Sequence, residues 1–255
     1  MQKVYLVSAK RTAIGTFMGS LSSVHPAVFG STVVKTILEE TKVDPKDIDE
    51  LQIGNVLPAG LGMNLARQIS LGAGIPETVP AYGINMVCGS GMKTIMNAFV
   101  SIQHGINNLV IAGGAESMSK APYLLPDKTR KGIKMGGFEV KDHMLYDALT
   151  DAFGNMHMGI TAENIVDKYK LTREAQDKFA ITSQERARKA RDAGKFKDEI
   201  VPIEVKTRKE TFMFDTDEHI NDRTTLEKLG TLRPAFKKDG SVTAGSSSGI
   251  NDGAL

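Results

Sequence analysis

The run Asn85-Met86-Val87-Cys88-Gly89-Ser90-Gly91-Met92-Lys93 holds the single cysteine of a 255-residue chain. A thiol is a useful nucleophile only as a thiolate, and the start of a helix stabilises that anion. Such a position brings a cysteine pKa from about 8.5 into a range of roughly 3.5–7.5. Gly89 and Gly91 remove side chains on both sides of the sulfur, so a substrate can come close to the backbone. The arrangement parallels the nucleophile elbow, in which the attacking residue sits on a sharp strand-to-helix turn between small residues. The chemistry indicated is covalent nucleophilic catalysis. The competing reading is a small buried apolar side chain, the commonest fate of a free cysteine.

A nucleophilic cysteine is often paired with a histidine, and His25, His104, His143, His157 and His219 are the five available. His104 lies some four turns along the helix that follows Cys88, too far to serve as its base. His157, between Met156 and Met158, is the best local choice; a packed histidine bonded to backbone is the alternative. No G-x-x-x-x-G-K-[ST] run, no strand-borne G-x-G-x-x-G, no H-E-x-x-H and no paired C-x-x-C is present. Phosphate-loop and zinc chemistry are therefore not expected.

The elements that must position Cys88 are legible on either side. Val79 to Val87 reads as an extended apolar run of strand length. Met92, Ile95, Met96, Phe99 and Val100 fall on one face of a helix that Gly105 closes. Leu109-Val110-Ile111-Ala112 follows as the next strand, so the spacing predicts a βαβ unit. Upstream, Val4-Tyr5-Leu6-Val7 predicts a first strand and Phe29, Val33, Val34, Ile37 and Leu38 a helix over 26–41. Asp44-Pro45 predicts a short capped helix, Leu51 to Leu57 a strand, and Asn64 to Ala73 a helix stopped by Gly74 and Pro76. Strands alternating with helices through residue 114 predict an α/β layer with a largely parallel sheet.

Beyond Ser119 the character changes. Pro122, Pro126, Gly132, Gly136 and Gly137 break any period over 120–145. A short helix is expected from Thr161, and a longer one, capped by Thr172, runs to Gly194. Arg186, Arg188, Lys189 and Arg191 on that helix read first as a solvated face and second as a landing zone for an anionic ligand. Residues 120–240 are expected to form an inserted subdomain between 1–119 and a return to the first layer at 241–255. Ser241-Val242-Thr243-Ala244 predicts a strand before the small-residue turn Gly245 to Gly249. The apolar element begun at Ile250 is cut short, which leads us to expect part of a longer protein.

Composition sets the class: 41% apolar, 24% charged and a net charge of +2 describe an ordinary globular chain with no bulk attraction for nucleic acid or membrane. No apolar run reaches the roughly 20 residues that cross a bilayer. One cysteine allows no internal disulfide and fits a reducing, cytoplasmic setting.

Taken together, several motifs in order resemble the thiolases, in particular those of the acetyl-CoA acetyltransferase type. They are Arg11-Thr12-Ala13-Ile14-Gly15, Gly54-Asn55-Val56-Leu57, the cysteine turn, and Gly113-Gly114-Ala115-Glu116-Ser117-Met118-Ser119. His157-Met158-Gly159-Ile160-Thr161-Ala162-Glu163-Asn164, Leu232-Arg233-Pro234-Ala235-Phe236, Thr243-Ala244-Gly245 and Ser248-Gly249-Ile250-Asn251-Asp252-Gly253 complete them. The resemblance implies a layered α/β fold with an inserted coenzyme A-binding loop subdomain. It implies that Cys88 carries an acetyl group as a thioester, its backbone N–H helping to hold the thioester oxygen. Two acetyl-CoA would thereby give acetoacetyl-CoA and coenzyme A, or the reverse. His157 and Met158 would line the acyl end of the pocket. Leu149, Phe236, Ala244, Ser248 and Ile250 would contact coenzyme A, with the Ser248 hydroxyl on a pantetheine amide. Coenzyme A enters as substrate and product; no other cofactor and no metal is implied. A homotetramer, with subunit contacts through 55–67 and 115–126, is implied as well.

Departures from the family pattern are specific. Gly245-Ser246-Ser247-Ser248 stands where relatives often have Gly-Asn-Ala-Ser, and Asn221 replaces a common arginine near the adenine site, with Arg223 close by. The family's second α/β half, with its Asn-Glu-Ala-Phe segment, Gly-His-Pro histidine and second cysteine, is absent from these 255 residues. The alternatives are a ketoacyl-synthase-like condensing enzyme and a non-catalytic coenzyme A-binding thiolase fragment.

Overall fold

The computed structural model describes residues 2–255. In chain order its strands are β1 (Arg11–Thr12), β2 (Gly15–Thr16), β3 (Glu50–Gly54), β4 (Ala81–Ile84), β5 (Val110–Ser117), β6 (Tyr123–Leu124), β7 (Lys141–Asp142), β8 (Ile200–Val201), β9 (Ile203–Lys206), β10 (Thr211–Phe214) and β11 (Asn251–Ala254). The α-helices are α1 (Pro26–Thr41), α2 (Leu65–Gly72), α3 (Ser90–Gln103), α4 (Met158–Tyr169), α5 (Arg173–Asp192) and α6 (Leu226–Thr231).

Five strands form the main sheet in the order β2-β11-β5-β3-β4. β3 runs parallel to both β4 and β5, while β11 is antiparallel to β5 and β2. The chain passes from β3 through α2 to its neighbour β4, then through α3 back across β3 to β5. Right-handed crossovers in opposite directions place their helices on opposite faces of the sheet. Accordingly α1 and α2 cover one face. Phe29, Val33, Val34, Leu38, Leu65 and Ile69 bury themselves there against Leu51, Ile53, Ala115 and Ala254. Full burial of such side chains stabilises by about 1.5–3 kcal/mol each. Pro26 at the first position and a bond from Ala27 N–H to His25 Nδ1 start α1; Lys42, at φ 57°, ends it.

The opposite face is built differently. Gly54 and Gly114 present bare backbone beneath α3, and Gly91 meets Gly114 from the helix side. Only small residues fit such a seat, and the buried residues of α3 are Ser90, Thr94 and Ala98. The apolar stripe read from the sequence is real, but it points away from the sheet. Met92, Ile95, Met96, Phe99 and Val100 remain between 47% and 68% exposed.

Three other expectations are corrected. Val4–Val7 is not a strand; Tyr5, Leu6 and Val7 are exposed and unpaired among the described residues. β-branched and aromatic residues favour a strand only where a neighbouring strand accepts the ladder. Ser241–Ala244 gives no strand either, only an isolated bridge between Thr243 and Pro234. The helix expected from Thr161 begins earlier, at Met158, because His157 caps it by accepting from Gly159 N–H at 3.0 Å.

Within 120–240, β6 and β7 form one hairpin and β9 and β10 another. β8 pairs in parallel with β1, and Val201, Ile203, Val205 and Phe214 join the same buried cluster as α1. The loop that follows is tied to the first layer by two carboxylates. Asp217 accepts from Arg11 at 2.7 Å and from Ile14 N–H at 2.8 Å. Glu218 accepts from Thr16 N–H at 2.8 Å and from Ser20 Oγ at 2.5 Å. No helix among the described residues is long and apolar enough to cross a membrane.

Candidate active site and its relatives

Cys88 lies on the connection from β4 to α3, exposed, one residue before the Gly89 cap of the helix. The turn is tight. Val87, a β-branched residue, is held at φ 48°, in the left-handed region that such side chains rarely enter. Asn85 Oδ1 accepts from Val87 N–H at 2.9 Å, and Gly89 N–H returns to the Met86 carbonyl at 3.1 Å. A Cβ at position 89 would meet the end of the flexible Met86 side chain, which would have to swing aside.

The turn leans on the carboxyl ends of the neighbouring strands. After β3, Asn55 N–H bonds the Ile84 carbonyl, and Asn85 Nδ2 reaches the Val56 carbonyl at 3.4 Å. Glu116, near the end of β5, accepts from Asn55 Nδ2 at 2.8 Å and from Val56 N–H at 2.7 Å. Burial raises the Glu116 pKa above the ordinary carboxylate value, although the N–H groups of Val56 and Leu57 pull the other way. Cys88 thus emerges over the carboxyl ends of the parallel strands β4, β3 and β5, beside the point where α2 and α3 leave for opposite faces. Open α/β sheets bind ligands at such switch points.

A second group of expected residues gathers elsewhere. The Leu149 carbonyl accepts from Met158 N–H at 2.8 Å. The His157 ring stacks on Phe236 with centroids 5.0 Å apart, and Phe236 also fills the space above Gly159. Leu149, His157, Met158 and Phe236 are therefore one cluster. With Nδ1 engaged by Gly159 N–H, His157 has only Nε2 left for a ligand or a proton.

Ala244 and Ser248 fall on a third surface, a cleft of about 1590 Å³ between α4, α5, the 218–224 loop and the 244–249 turn. Cys88 and the Phe236 cluster are not among the residues that line it, and neither is Ile250, whose carbonyl accepts from Phe17 N–H. The cleft mixes apolar walls (Ile165, Leu171, Phe179, Leu232) with Arg223, Lys228 and Glu218. Glu163, 1% exposed, accepts from Ser241 and Val242 N–H at 3.0 and 2.8 Å and so fastens α4 to the strip ahead of the turn. The Ser246 hydroxyl accepts from Thr243 N–H and that of Ser247 donates to the Thr243 carbonyl. Ser248 has no such intrachain bond among the described residues and faces the cleft.

The basic helix reads mainly as a solvated face. Residues 175, 176, 179, 180, 183 and 184 of α5 line the cleft, not its arginines. Arg191 is paired with Asp222 at 2.8 Å, and Arg188 donates to the Asp222 carbonyl at 3.0 Å. Asn221 builds the turn by accepting from Arg223 N–H at 2.9 Å, leaving Arg223 and Lys228 as the cations at the cleft. Among the described residues no group of three or more His, Cys, Asp or Glu side chains is placed to hold a metal ion. The sequence reading missed Ser90, Glu116, Glu163 and Glu218. A polar residue within an element was the available signal for Ser90, Glu116 and Glu163, whereas Glu218 lies in a polar loop and its partner Thr16 is 202 positions away.

Comparison with known proteins bears on the family and the fold. The family profile described as Thiolase, N-terminal domain, matches residues 4–255. The chain is 52% identical over 254 residues to an acetyl-CoA acetyltransferase of Allochromatium vinosum, covering 99% of this chain and 64% of that protein. It is 51% identical over 255 residues to a probable acetyl-CoA acyltransferase of Staphylococcus epidermidis, covering all of this chain and 64% of that one. The crystal structure of the Bacillus anthracis acetyl-CoA acetyltransferase superposes with a TM-score of 0.93 at 42% identity, over 98% of this chain and 63% of the other. The chain thus spans a little under two thirds of the length of these relatives. By profile, sequence and fold, it belongs to the thiolase family, of which it carries the N-terminal domain.

Proposed function

We propose that Cys88 accepts an acetyl group from acetyl-CoA and that the chain is the acyl-accepting part of an acetyl-CoA acetyltransferase. The observation that carries this reading is the exposed thiol on a strained turn at the start of α3, over the carboxyl ends of the parallel strands. In the first step the Cys88 thiolate attacks the thioester carbonyl carbon, and the carbon–sulfur bond to coenzyme A breaks. The departing thiolate takes up a proton, leaving acetyl-cysteine. In the second step another acetyl-CoA, having lost a proton from its methyl group, attacks that carbonyl. A carbon–carbon bond forms, acetoacetyl-CoA leaves and Cys88 is released as thiolate. By family likeness, the Cys88 backbone N–H helps to hold the developing oxyanion. The general base of this second step is assigned, by the same likeness, to residues outside these 255. Acetylation without condensation is therefore the activity expected of the chain by itself.

In this proposal coenzyme A lies in the 244–249 cleft, with Ser248 on a pantetheine amide and Leu149, His157, Met158, Phe236, Ala244 and Ile250 along its path. A cytoplasmic homotetramer that engages neither membrane nor nucleic acid completes it. The test is incubation with acetyl-CoA followed by peptide mass spectrometry. One hydroxylamine-labile acetyl group on Cys88, absent from Cys88→Ala, is expected. An adduct elsewhere, or none with coenzyme A still bound, would favour the non-catalytic coenzyme A binder.

A further inference from the structure

We propose that Ser90 is a positioning residue for Cys88, its hydroxyl being the staple that holds the nucleophile turn in its strained form. The inference rests on the reading of Cys88 as the acyl acceptor. A valine at φ 48° persists only where its surroundings over-determine it. Ser90 supplies most of that constraint. Its Oγ accepts from Met86 N–H at 2.8 Å and donates to the Val87 carbonyl at 2.6 Å, while its own N–H bonds the same carbonyl at 3.0 Å. One side chain on the far side of Cys88 thus grips the two residues before it. Ser90 is 4% exposed and seated against Gly54, where solvent cannot easily replace the hydroxyl. Without it, the Met86 N–H loses its partner beside a residue already in an unfavourable conformation. The turn then relaxes, and Cys88 leaves its place relative to the N–H groups at the head of α3.

Thr94 provides a matched control. It is fully buried one turn further along α3, and its hydroxyl donates to the Gly91 and Gly113 carbonyls at 2.7 and 3.0 Å without touching the turn. The experiment compares the whole chain with Ser90→Ala, Ser90→Thr and Thr94→Val. It follows acetylation by increasing acetyl-CoA and alkylation by iodoacetamide at fixed pH, with urea unfolding alongside. Because Cys88 is the only cysteine, both reactions report on one sulfur. Ser90→Ala should lower the limiting acetylation rate at least about tenfold, with half-saturation within about twofold of the parent. Thr94→Val should lose stability yet keep the limiting rate within about twofold, and a folded Ser90→Thr should recover most of it. A Ser90→Ala rate close to the parent, or an equal fall in Thr94→Val, overturns the proposal. If the parent takes up no acetyl group, the functional reading is what fails, and alkylation decides Ser90. A change of about threefold or more confined to Ser90→Ala supports the staple; equal rates reject it.

Discussion

The glycine seat under α3 makes Gly54→Ala a sharp test of how the nucleophile is held. An added Cβ would lie 2.5 Å from Gly91 N, 2.6 Å from Ser90 C and 2.8 Å from Ser90 Cβ. Ordinary contacts of a Cβ begin near 3.4 Å, so the head of α3 must retreat by close to 1 Å. Two of the three obstructing atoms are backbone, and no rotamer change relieves them. Overpacking of this kind costs about 1–3 kcal/mol. The displacement also falls on the residues just after Cys88, and a 1 Å error in reacting geometry lowers rates about a hundredfold. Gly83→Ala on the adjacent strand is the control. Its Cβ would meet only the Ile53 carbonyl, at 3.8 Å, and loss of unfolded-state freedom should make it neutral or slightly stabilising, by about 0.4–1 kcal/mol. Urea unfolding reads the stability, and acetylation and iodoacetamide alkylation of Cys88 read the site. If Gly54→Ala unfolds and reacts like the parent, or if Gly83→Ala is damaged as much, the close seating of α3 does not set the position of Cys88.

Two further outcomes are expected. Ser248→Ala should weaken coenzyme A binding between about twofold and tenfold by titration calorimetry, the loss of one hydrogen bond of about 0.5–1.5 kcal/mol; unchanged affinity would remove Ser248 from the site. Acid stability should hinge on the loop that carries Asp217 and Glu218. Burial alone would raise both pKa values, but bonds from Arg11 and Ile14 N–H to Asp217, and from Ser20 and Thr16 to Glu218, outweigh it, and both end lowered. Groups depressed on folding contribute stability above their unfolded values, here 3.8 and 4.5, and that contribution is lost as pH falls through the folded values. Glu116 acts with opposite sign, since its raised pKa favours the folded state as it protonates in the window above 4.5. Unfolding midpoints of Asp217→Asn and the parent should therefore converge below about pH 4; a constant gap between them would contradict the ion-pair account.

Where local pattern and tertiary packing agree, the sequence was a good guide. The helix expected over 26–41 is α1, residue for residue, because its apolar face is a local signal. Thr172 caps α5 as its spacing required. Cys88 was found on its strand-to-helix turn for the same reason. The misses have two causes, partners remote in sequence and features too short or too local to carry a pattern. Tyr5 to Val7 have strand-forming residue types and no described neighbour to pair with. The stripe of α3 was legible, but nothing in its period reveals that Gly54 and Gly114 lie beneath the helix and turn the stripe away from the sheet. β9, β10 and α6 are short, and four to six residues carry too little periodicity to read. At the cleft, the serine turn was visible, but not that two of its three hydroxyls are occupied by Thr243.

The place of β11 has a consequence for how the chain is made. It lies between β2 and β5, and bonds Ala254 N–H to Thr12 Oγ1 across 242 positions of sequence. Among the described residues β2 pairs in the sheet with β11 alone, so the edge of β5 stays open until a segment some 130 residues later has left the ribosome. At about 5–20 residues per second that is an interval of roughly 7–25 s. Through that time β5 offers a row of free N–H and C=O groups of the kind that templates unwanted pairing. Nascent chains stalled anywhere between Ser119 and Ile250 should accordingly be the species that chaperones hold, and their release should coincide with synthesis of Asn251–Ala254.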